Sequence, residues 1–90
     1  MAEELSVTVL ESILIETFEA TLEIDGVSRE SNFFACGGDS LSSLELTYHL
    51  SNRLGIAIDM AELPLWSTVS SVAEFLRNIL VNVHHQTGNV

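Results

Sequence analysis

The amino-acid sequence predicts an all-α domain, a small four-helix bundle with three main helices, one short helix and a long first loop. Ninety residues can enclose only a single hydrophobic core. Hydrophobic residues make up 47% of the chain, enough to bury such a core, which argues against disorder. Apolar residues recur at three- and four-residue spacing, which is typical of helices, and no segment shows the alternation of a strand.

The first helix is predicted from Ser6 to about Leu22. Ser6 suits the N-cap, and Asp25-Gly26 is a turn signal that ends the element. One face carries an apolar stripe, which consists of Val7, Leu10, Leu14, Phe18 and Leu22. The other side is polar and is filled by Glu11, Ser12, Glu16 and Glu19.

Residues 27–39 form a long and mostly polar connection to the second helix. A loop of this length in a small domain is usually functional or held by anchors. Phe33 and Phe34 are the predicted anchors, because aromatic side chains dominate the burial in small cores. Cys36 is predicted to pack within the loop, since no cation adjacent in sequence activates its thiol.

The second helix is predicted from Ser40 to Leu54, with Asp39 or Ser40 as its cap and Gly55 at its end. A helical wheel at about 100° per residue gives it two apolar faces. The core face consists of Leu46, Leu50 and Leu54, together with Ser43 and Thr47. The second face lies beside Ser40 and consists of Leu41, Leu44 and Tyr48, with Glu45 at its edge. This second face is either a docking surface or a surface covered by the long loop.

A short third helix is predicted at residues 59–62, where Asp59 and Glu62 fit a capping box and Pro64 limits its length. Trp66 is predicted to fill the core between this helix and the last one. The apolar stripe of the last helix consists of Val69, Val72, Ala73, Leu76, Ile79, Leu80 and Val83.

Ser67-Thr68 is the predicted cap of the last helix. We expect residues 1–83 to form the domain and residues 84–90 to be a flexible C-terminal tail.

Ser40 is the candidate functional residue. Gly37 and Gly38 precede it, so the backbone can turn sharply and leave the hydroxyl unshielded. The positive end of the helix dipole and its free N–H groups would stabilise an anion attached there, such as a phosphodiester. The alternative is that Ser40 only caps the helix.

The stretch Asn32-Phe33-Phe34-Ala35-Cys36-Gly37-Gly38-Asp39-Ser40-Leu41 resembles the signature of acyl and peptidyl carrier proteins. The resemblance covers about residues 5–83, since the helix order, the long loop and Trp66-Ser67-Thr68-Val69 also match. It implies that Ser40 receives 4′-phosphopantetheine from coenzyme A, and that Asp39 helps a phosphopantetheinyl transferase position its metal-bound coenzyme A. It also implies that partners contact Leu41, Leu44, Glu45 and Tyr48.

Carriers of this family perform no catalysis, and the thiol of the arm holds intermediates as thioesters for partner enzymes. The implied partners are an adenylating or acyl-loading enzyme and downstream condensing, tailoring or thioesterase enzymes. Phe33-Phe34 with Gly37-Gly38 is similar to peptidyl carriers of nonribosomal peptide synthetases, so we expect a peptidyl-type carrier of secondary metabolism. Because the sequence begins with Met1 and shows no second domain or linker, we expect this carrier to be free-standing. Leu44-Glu45-Leu46 looks more like an acyl carrier of a fatty-acid or polyketide pathway, and Ser67 stands where peptidyl carriers commonly have Pro.

Two rival functions come from other classes. Gly38-Asp39-Ser40-Leu41 also matches the block of a hydrolase family with a nucleophilic serine. That chemistry needs a base beside the serine, but His49 lies on the opposite side of the helix and about 13 Å along it. The second rival is a helical interaction module that is never modified at Ser40, and the intact motif favours the carrier over it.

Composition and charge exclude several classes of partner and site. Three Arg against thirteen Asp and Glu give a formal charge of −10, which argues against binding of nucleic acid. The single cysteine excludes an internal disulfide, and His84-His85 is an incomplete ligand set for a metal. No membrane span or secretory signal is visible, so we expect a cytoplasmic monomer.

Overall fold

The computed structural model describes the backbone of residues 6–88 and the side chains of residues 6–82. Within this part of the chain the fold is all-α, as predicted, and contains no strand beyond one isolated bridge between Asn32 and Thr68. The three helices are α1, Val7–Leu22, α2, Ser40–Leu54, and α3, Val69–Gly88. The predicted short helix is a single turn of 3-10 helix, Met60–Glu62.

Helix α1 has the predicted bounds but a different signal at its end. Ser6 is the N-cap, and its hydroxyl accepts a hydrogen bond from the Val9 N–H at 3.3 Å. The helix ends because Glu23 adopts the left-handed conformation, with φ of 57°, ahead of the predicted turn. The apolar stripe faces the core, and its fully buried members are Leu10, Leu14 and Phe18.

Glu11, which the sequence pattern assigned to the polar side of α1, is buried. Only 8% of the residue is exposed, and its carboxylate accepts hydrogen bonds from the Arg29 guanidinium at 3.2 and 3.3 Å. Arg29 Nη2 also donates to Ser70 Oγ at 3.3 Å. The long loop is thereby tied to both α1 and α3. Local periodicity could not reveal this ion pair, because its two residues are 18 positions apart.

Helix α1 packs against both α2 and α3, and the hydrophobic core lies between them. The predicted core face of α2 is confirmed, with Ser43, Leu46, Thr47 and Leu50 buried and Leu54 partly buried. The predicted stripe of α3 is buried at Val69, Val72, Ala73 and Leu76. Farther along, Ile79 and Leu80 are half-buried, and Val83 lies outside the described side chains.

Helix α3 continues to Gly88. The side chains from residue 83 onward, including those of His84 and His85, lie outside the described part, so a flexible tail at residues 84–90 stays a prediction. None of the helices in the described residues is long and apolar enough to cross a bilayer.

One of the two predicted aromatic anchors holds the long loop on the core. Phe33 is fully buried and packs edge-to-face on Phe18, with ring centroids 5.1 Å apart. The prediction that Phe34 is a second anchor is wrong, because 45% of it is exposed. The prediction that Trp66 lies in the core is also wrong, since 76% of it is exposed. Both residues lie on irregular segments, where no sequence period indicates which side chain points inward.

Polar contacts fasten the same loop to the segment before α3. The Asn32 side-chain amide donates to the carbonyl oxygens of Leu65 and Ser67 at 3.1 and 2.7 Å. The Val69 N–H donates to the Ser31 carbonyl at 2.9 Å. The loop is thus held both by the buried Phe33 and by these hydrogen bonds. Together they fix the path by which the loop enters α2.

Candidate functional site

The start of α2 is held by a reciprocal capping box. Asp39 Oδ1 accepts a hydrogen bond from the Ser42 N–H at 2.9 Å, and Ser42 Oγ accepts one from the Asp39 N–H at 2.8 Å. The Ser42 N–H, followed by the Ser42 hydroxyl, lowers the pKa of the Asp39 carboxyl from its ordinary value. Asp39 is therefore the N-cap, and the alternative that Ser40 caps this helix is wrong.

Ser40 is the first residue of α2 and is exposed. Its carbonyl accepts a hydrogen bond from Ser43 Oγ at 2.8 Å, whereas its own hydroxyl takes no part in the capping box formed by Asp39 and Ser42. The hydroxyl stands at the positive end of the helix dipole, where an attached anion is stabilised.

Two glycines bring the chain from the buried Phe33 to the exposed Ser40. The Gly38 N–H donates to the Phe33 carbonyl at 3.0 Å, and a Cβ on Gly38 would overlap the Phe33 ring. Gly37 has φ of +107°, a conformation that side chains disfavour. A turn with both properties needs glycine at both positions, which explains the pair seen in the sequence.

Leu41, Leu44 and Tyr48 form an apolar patch on α2 next to Ser40. They are 71%, 56% and 65% exposed, so the long loop does not cover them. Glu45 is exposed at the edge of the patch. The wheel calculation therefore assigned these residues correctly to an accessible surface. Of the two alternatives, the docking surface is the one that stays to be tested.

Sequence reasoning missed three further exposed apolar residues on the connecting segments, namely Phe34, Met60 and Trp66. The two hydrogen bonds from Asn32 reach the residues on either side of Trp66, and Phe34 follows Asn32 by two positions. The segments that carry Phe34 and Trp66 therefore lie side by side. No sequence signal could have revealed this, since neither segment is periodic and the hydrogen bonds join residues that are 33 and 35 positions apart.

The surroundings of Ser40 offer no hydrolase machinery among the described side chains. His49 is exposed and its ring lies against Tyr48, with centroids 5.7 Å apart. Within the same part of the chain, no group of three His, Cys, Asp or Glu side chains is placed to hold a metal ion. Cys36 is a free, half-buried thiol in the loop.

Known proteins that resemble this chain in sequence carry the same segment inside large synthases. The family model described as the phosphopantetheine attachment site matches residues 12–76. Pyochelin synthetase PchE of Pseudomonas aeruginosa is 33% identical over 73 residues, which are 81% of this chain and 5% of the synthetase. Bacitracin synthase 3 of Bacillus licheniformis is 31% identical over 67 residues, 74% of this chain and 1% of the synthase. Polyketide synthase PksN of Bacillus subtilis is 28% identical over 72 residues, 80% of this chain and 1% of the synthase.

Two solved structures share the fold. BlmI, a type-II acyl-carrier-protein from Streptomyces verticillus involved in bleomycin biosynthesis, has a TM-score of 0.75 at 22% identity, covering 82% of this chain and 89% of BlmI. The HMG-ACPI domain of the CurA module from Lyngbya majuscula has a TM-score of 0.77 at 15% identity, covering 89% of this chain and 83% of that domain. Since the family model matches well over half of its residues, the chain belongs to the phosphopantetheine attachment site family, the non-catalytic carriers of covalent 4′-phosphopantetheine.

Proposed function

We propose that Ser40 carries the 4′-phosphopantetheine arm and that the protein presents thioester-bound acyl or aminoacyl groups to enzymes of nonribosomal peptide or related secondary-metabolite synthesis. The observation that supports this is the position of Ser40, which opens α2 as an exposed residue while Asp39 acts as the cap. Ser40 also lies within the matched residues 12–76.

The residues around Ser40 fit the group. A phosphodiester on its hydroxyl is an anion at the positive end of α2. Gly38 lets the loop close onto the Phe33 ring just before Asp39 and Ser40. Asp39 is fixed by Ser42 and holds an ionised carboxylate next to Ser40, where it can meet the metal ion that a transferase uses to bind coenzyme A. The arm, once attached, supplies the thiol that holds the cargo as a thioester.

The apolar patch of Leu41, Leu44 and Tyr48 is the proposed contact for partners, with Glu45 as its main charged contact. Exposed apolar side chains clustered beside the attachment residue can be desolvated by a partner that must reach Ser40. The partners in this proposal are a phosphopantetheinyl transferase, an adenylating or acyl-loading enzyme, and condensing, tailoring or thioesterase enzymes. The setting is the cytoplasm, where coenzyme A is supplied.

Likeness to pyochelin synthetase PchE and bacitracin synthase 3, together with Phe33-Phe34, favours a peptide pathway. The second candidate is an acyl carrier of a polyketide or fatty-acid pathway, which likeness to PksN and the Leu44-Glu45-Leu46 stretch favour. Offering aminoacyl adenylates and acyl donors separately to the loaded carrier, each with its loading enzyme, distinguishes the two by the thioester formed.

Modification at Ser40 is tested by incubating the protein with coenzyme A and a phosphopantetheinyl transferase, then measuring the intact mass. We expect a gain of one phosphopantetheine group in the wild type and no gain in Ser40→Ala. Ser12→Ala, which changes an exposed serine on α1, is the matched control and should still gain the group. No gain in the wild type, or a gain that survives Ser40→Ala, would contradict the proposal.

A further inference from the structure

We infer that Met60 is a positioning residue for the arm, and that its thioether seats the first uncharged part of the phosphopantetheine chain beside Ser40. This inference rests on the proposed attachment at Ser40. It adds a contact that comes from outside α2, on the single 3-10 turn Met60–Glu62.

One hydroxyl brings Met60 next to the attachment residue. Ser43 Oγ lies 2.8 Å from the Ser40 carbonyl oxygen and 3.4 Å from Met60 Sδ. The carbonyl is the stronger acceptor and takes the Ser43 proton, so the thioether packs against the same oxygen. Met60 Sδ and the Ser40 carbonyl oxygen therefore contact the same Ser43 hydroxyl oxygen, although Met60 and Ser40 are 20 positions apart in the chain.

Met60 lies on the other flank of Ser40 from the apolar patch. On the wheel of α2, Ser43 falls about 60° to one side of Ser40, whereas Leu44 falls about 40° to the other side. Because Met60 contacts Ser43, it lies on the Ser43 side of Ser40, opposite to Leu44. An arm seated on Met60 leaves Leu41, Leu44 and Tyr48 open, so a partner can dock on the patch without first displacing the arm.

The chemistry of Met60 matches the part of the arm that would reach it. After its phosphate, the arm continues with a methylene and then a carbon that bears two methyl groups, an apolar and compact unit. Methionine is flexible and polarisable, so it adapts to such a unit, and more than a third of Met60 is exposed in the absence of the arm. Asp59 and Glu62 lie close in sequence on either side of Met60, so the anionic phosphate is favoured at the start of α2 rather than here.

The contact is tested by NMR on protein that carries ¹³C-labelled methionine methyl groups. The sequence contains only two methionines, so the Met60 signal is identified as the one that disappears in Met60→Leu. After loading of the arm is verified by intact mass, we expect the Met60 methyl signal to shift. We also expect nuclear Overhauser effects between this methyl and the two methyl groups of the arm.

A fully loaded protein with an unshifted Met60 signal and no such effects would overturn the inference. Because loading is measured by mass, this outcome differs from failure of the proposed attachment, which would give no added mass. In Met60→Leu, the arm methyls should keep their effects to the new leucine methyls. In Met60→Asn they should lose all contact at this position, while circular dichroism verifies that both variants keep the helices.

Discussion

Asp39 and Ser40 are adjacent residues with separate tasks at the start of α2. Both residue types cap helices well, so the sequence left the choice between them open. The structure decides it through Ser42, whose hydroxyl returns a hydrogen bond to the Asp39 N–H. Serine is a weaker signal of a capping box than Glu or Gln at this position, which is why the box was not recognised. The division leaves the Ser40 hydroxyl available for modification.

The cap also determines how the start of α2 responds to acid. The Asp39 pKa is lower in the folded protein than in an unfolded chain, because the Ser42 N–H and hydroxyl stabilise the carboxylate. The contribution of Asp39 to stability is therefore complete above the ordinary carboxyl pKa and is lost as pH falls through the lower folded value. An NMR titration of the Asp39 carboxyl carbon should give a midpoint below that of a peptide aspartate. Ser42→Ala should raise it, and a wild-type midpoint at the peptide value would contradict the cap.

Phe33 and Trp66 should differ sharply in their effect on stability. Phe33→Ala empties a fully buried site against Phe18 and should lower the free energy of unfolding by about 3–5 kcal/mol. Trp66→Ala removes an exposed side chain and should change it by less than about 0.5 kcal/mol. Urea unfolding followed by circular dichroism measures both. If Trp66→Ala lowers the free energy of unfolding by more than this, the side chain of Trp66 is buried in the core.

At the scale of elements, periodicity predicted the helices and failed in the connections. The stripes of α1, α2 and α3 repeat every three or four residues, so each helix predicts its own buried face. Phe34 and Trp66 were assigned wrongly because they lie on connections that have no period. Glu11 was assigned wrongly although it lies on α1, because a residue of the long loop pairs with it. Asn32 fixes the loop to the segment of Trp66, and Arg29 pairs with Glu11 across 18 positions. No local pattern contains such contacts.

The apolar patch of α2 should be needed for loading but not for folding. Leu44→Asp and Tyr48→Asp place a charge on exposed positions, so helical circular dichroism should stay at the wild-type level. Binding to the transferase or loading enzyme should weaken about tenfold, equivalent to about 1.4 kcal/mol. Ala20→Asp, which adds the same charge to the exposed side of α1, is the control and should bind normally. Loss of helix in the patch variants would show that these residues are structural.

At the scale of the whole molecule, the net charge of −10 is unevenly distributed. Residues 1–30 hold eight acids and one Arg, or −7, residues 31–60 three acids and one Arg, or −2, and residues 61–90 two acids and one Arg, or −1. Two of the three Arg form ion pairs with α1, Arg29 with Glu11 and Arg53 with Glu16, at 3.2 and 3.1 Å. The acidity is thus concentrated in the first third of the sequence.

This distribution predicts a weak dependence of partner binding on salt. The charge of the first thirty residues can steer encounters at long range, but the proposed contact is chiefly apolar, with Glu45 as its main charge. Raising the salt from about 0.05 to about 0.5 M should therefore weaken binding by less than about tenfold, measured by titration calorimetry. A steep fall in affinity would instead show that charge pairs dominate the interface.

The attachment of the arm to Ser40 is the central claim, and mapping the modified residue tests it most directly. The protein is incubated with coenzyme A and a phosphopantetheinyl transferase, and the product is fragmented in the mass spectrometer to locate the added group along the chain. We expect one group per chain, carried by Ser40 and by none of the other serines, such as the neighbouring Ser42 and Ser43. An unmodified chain, or the group on a different serine, would contradict the account.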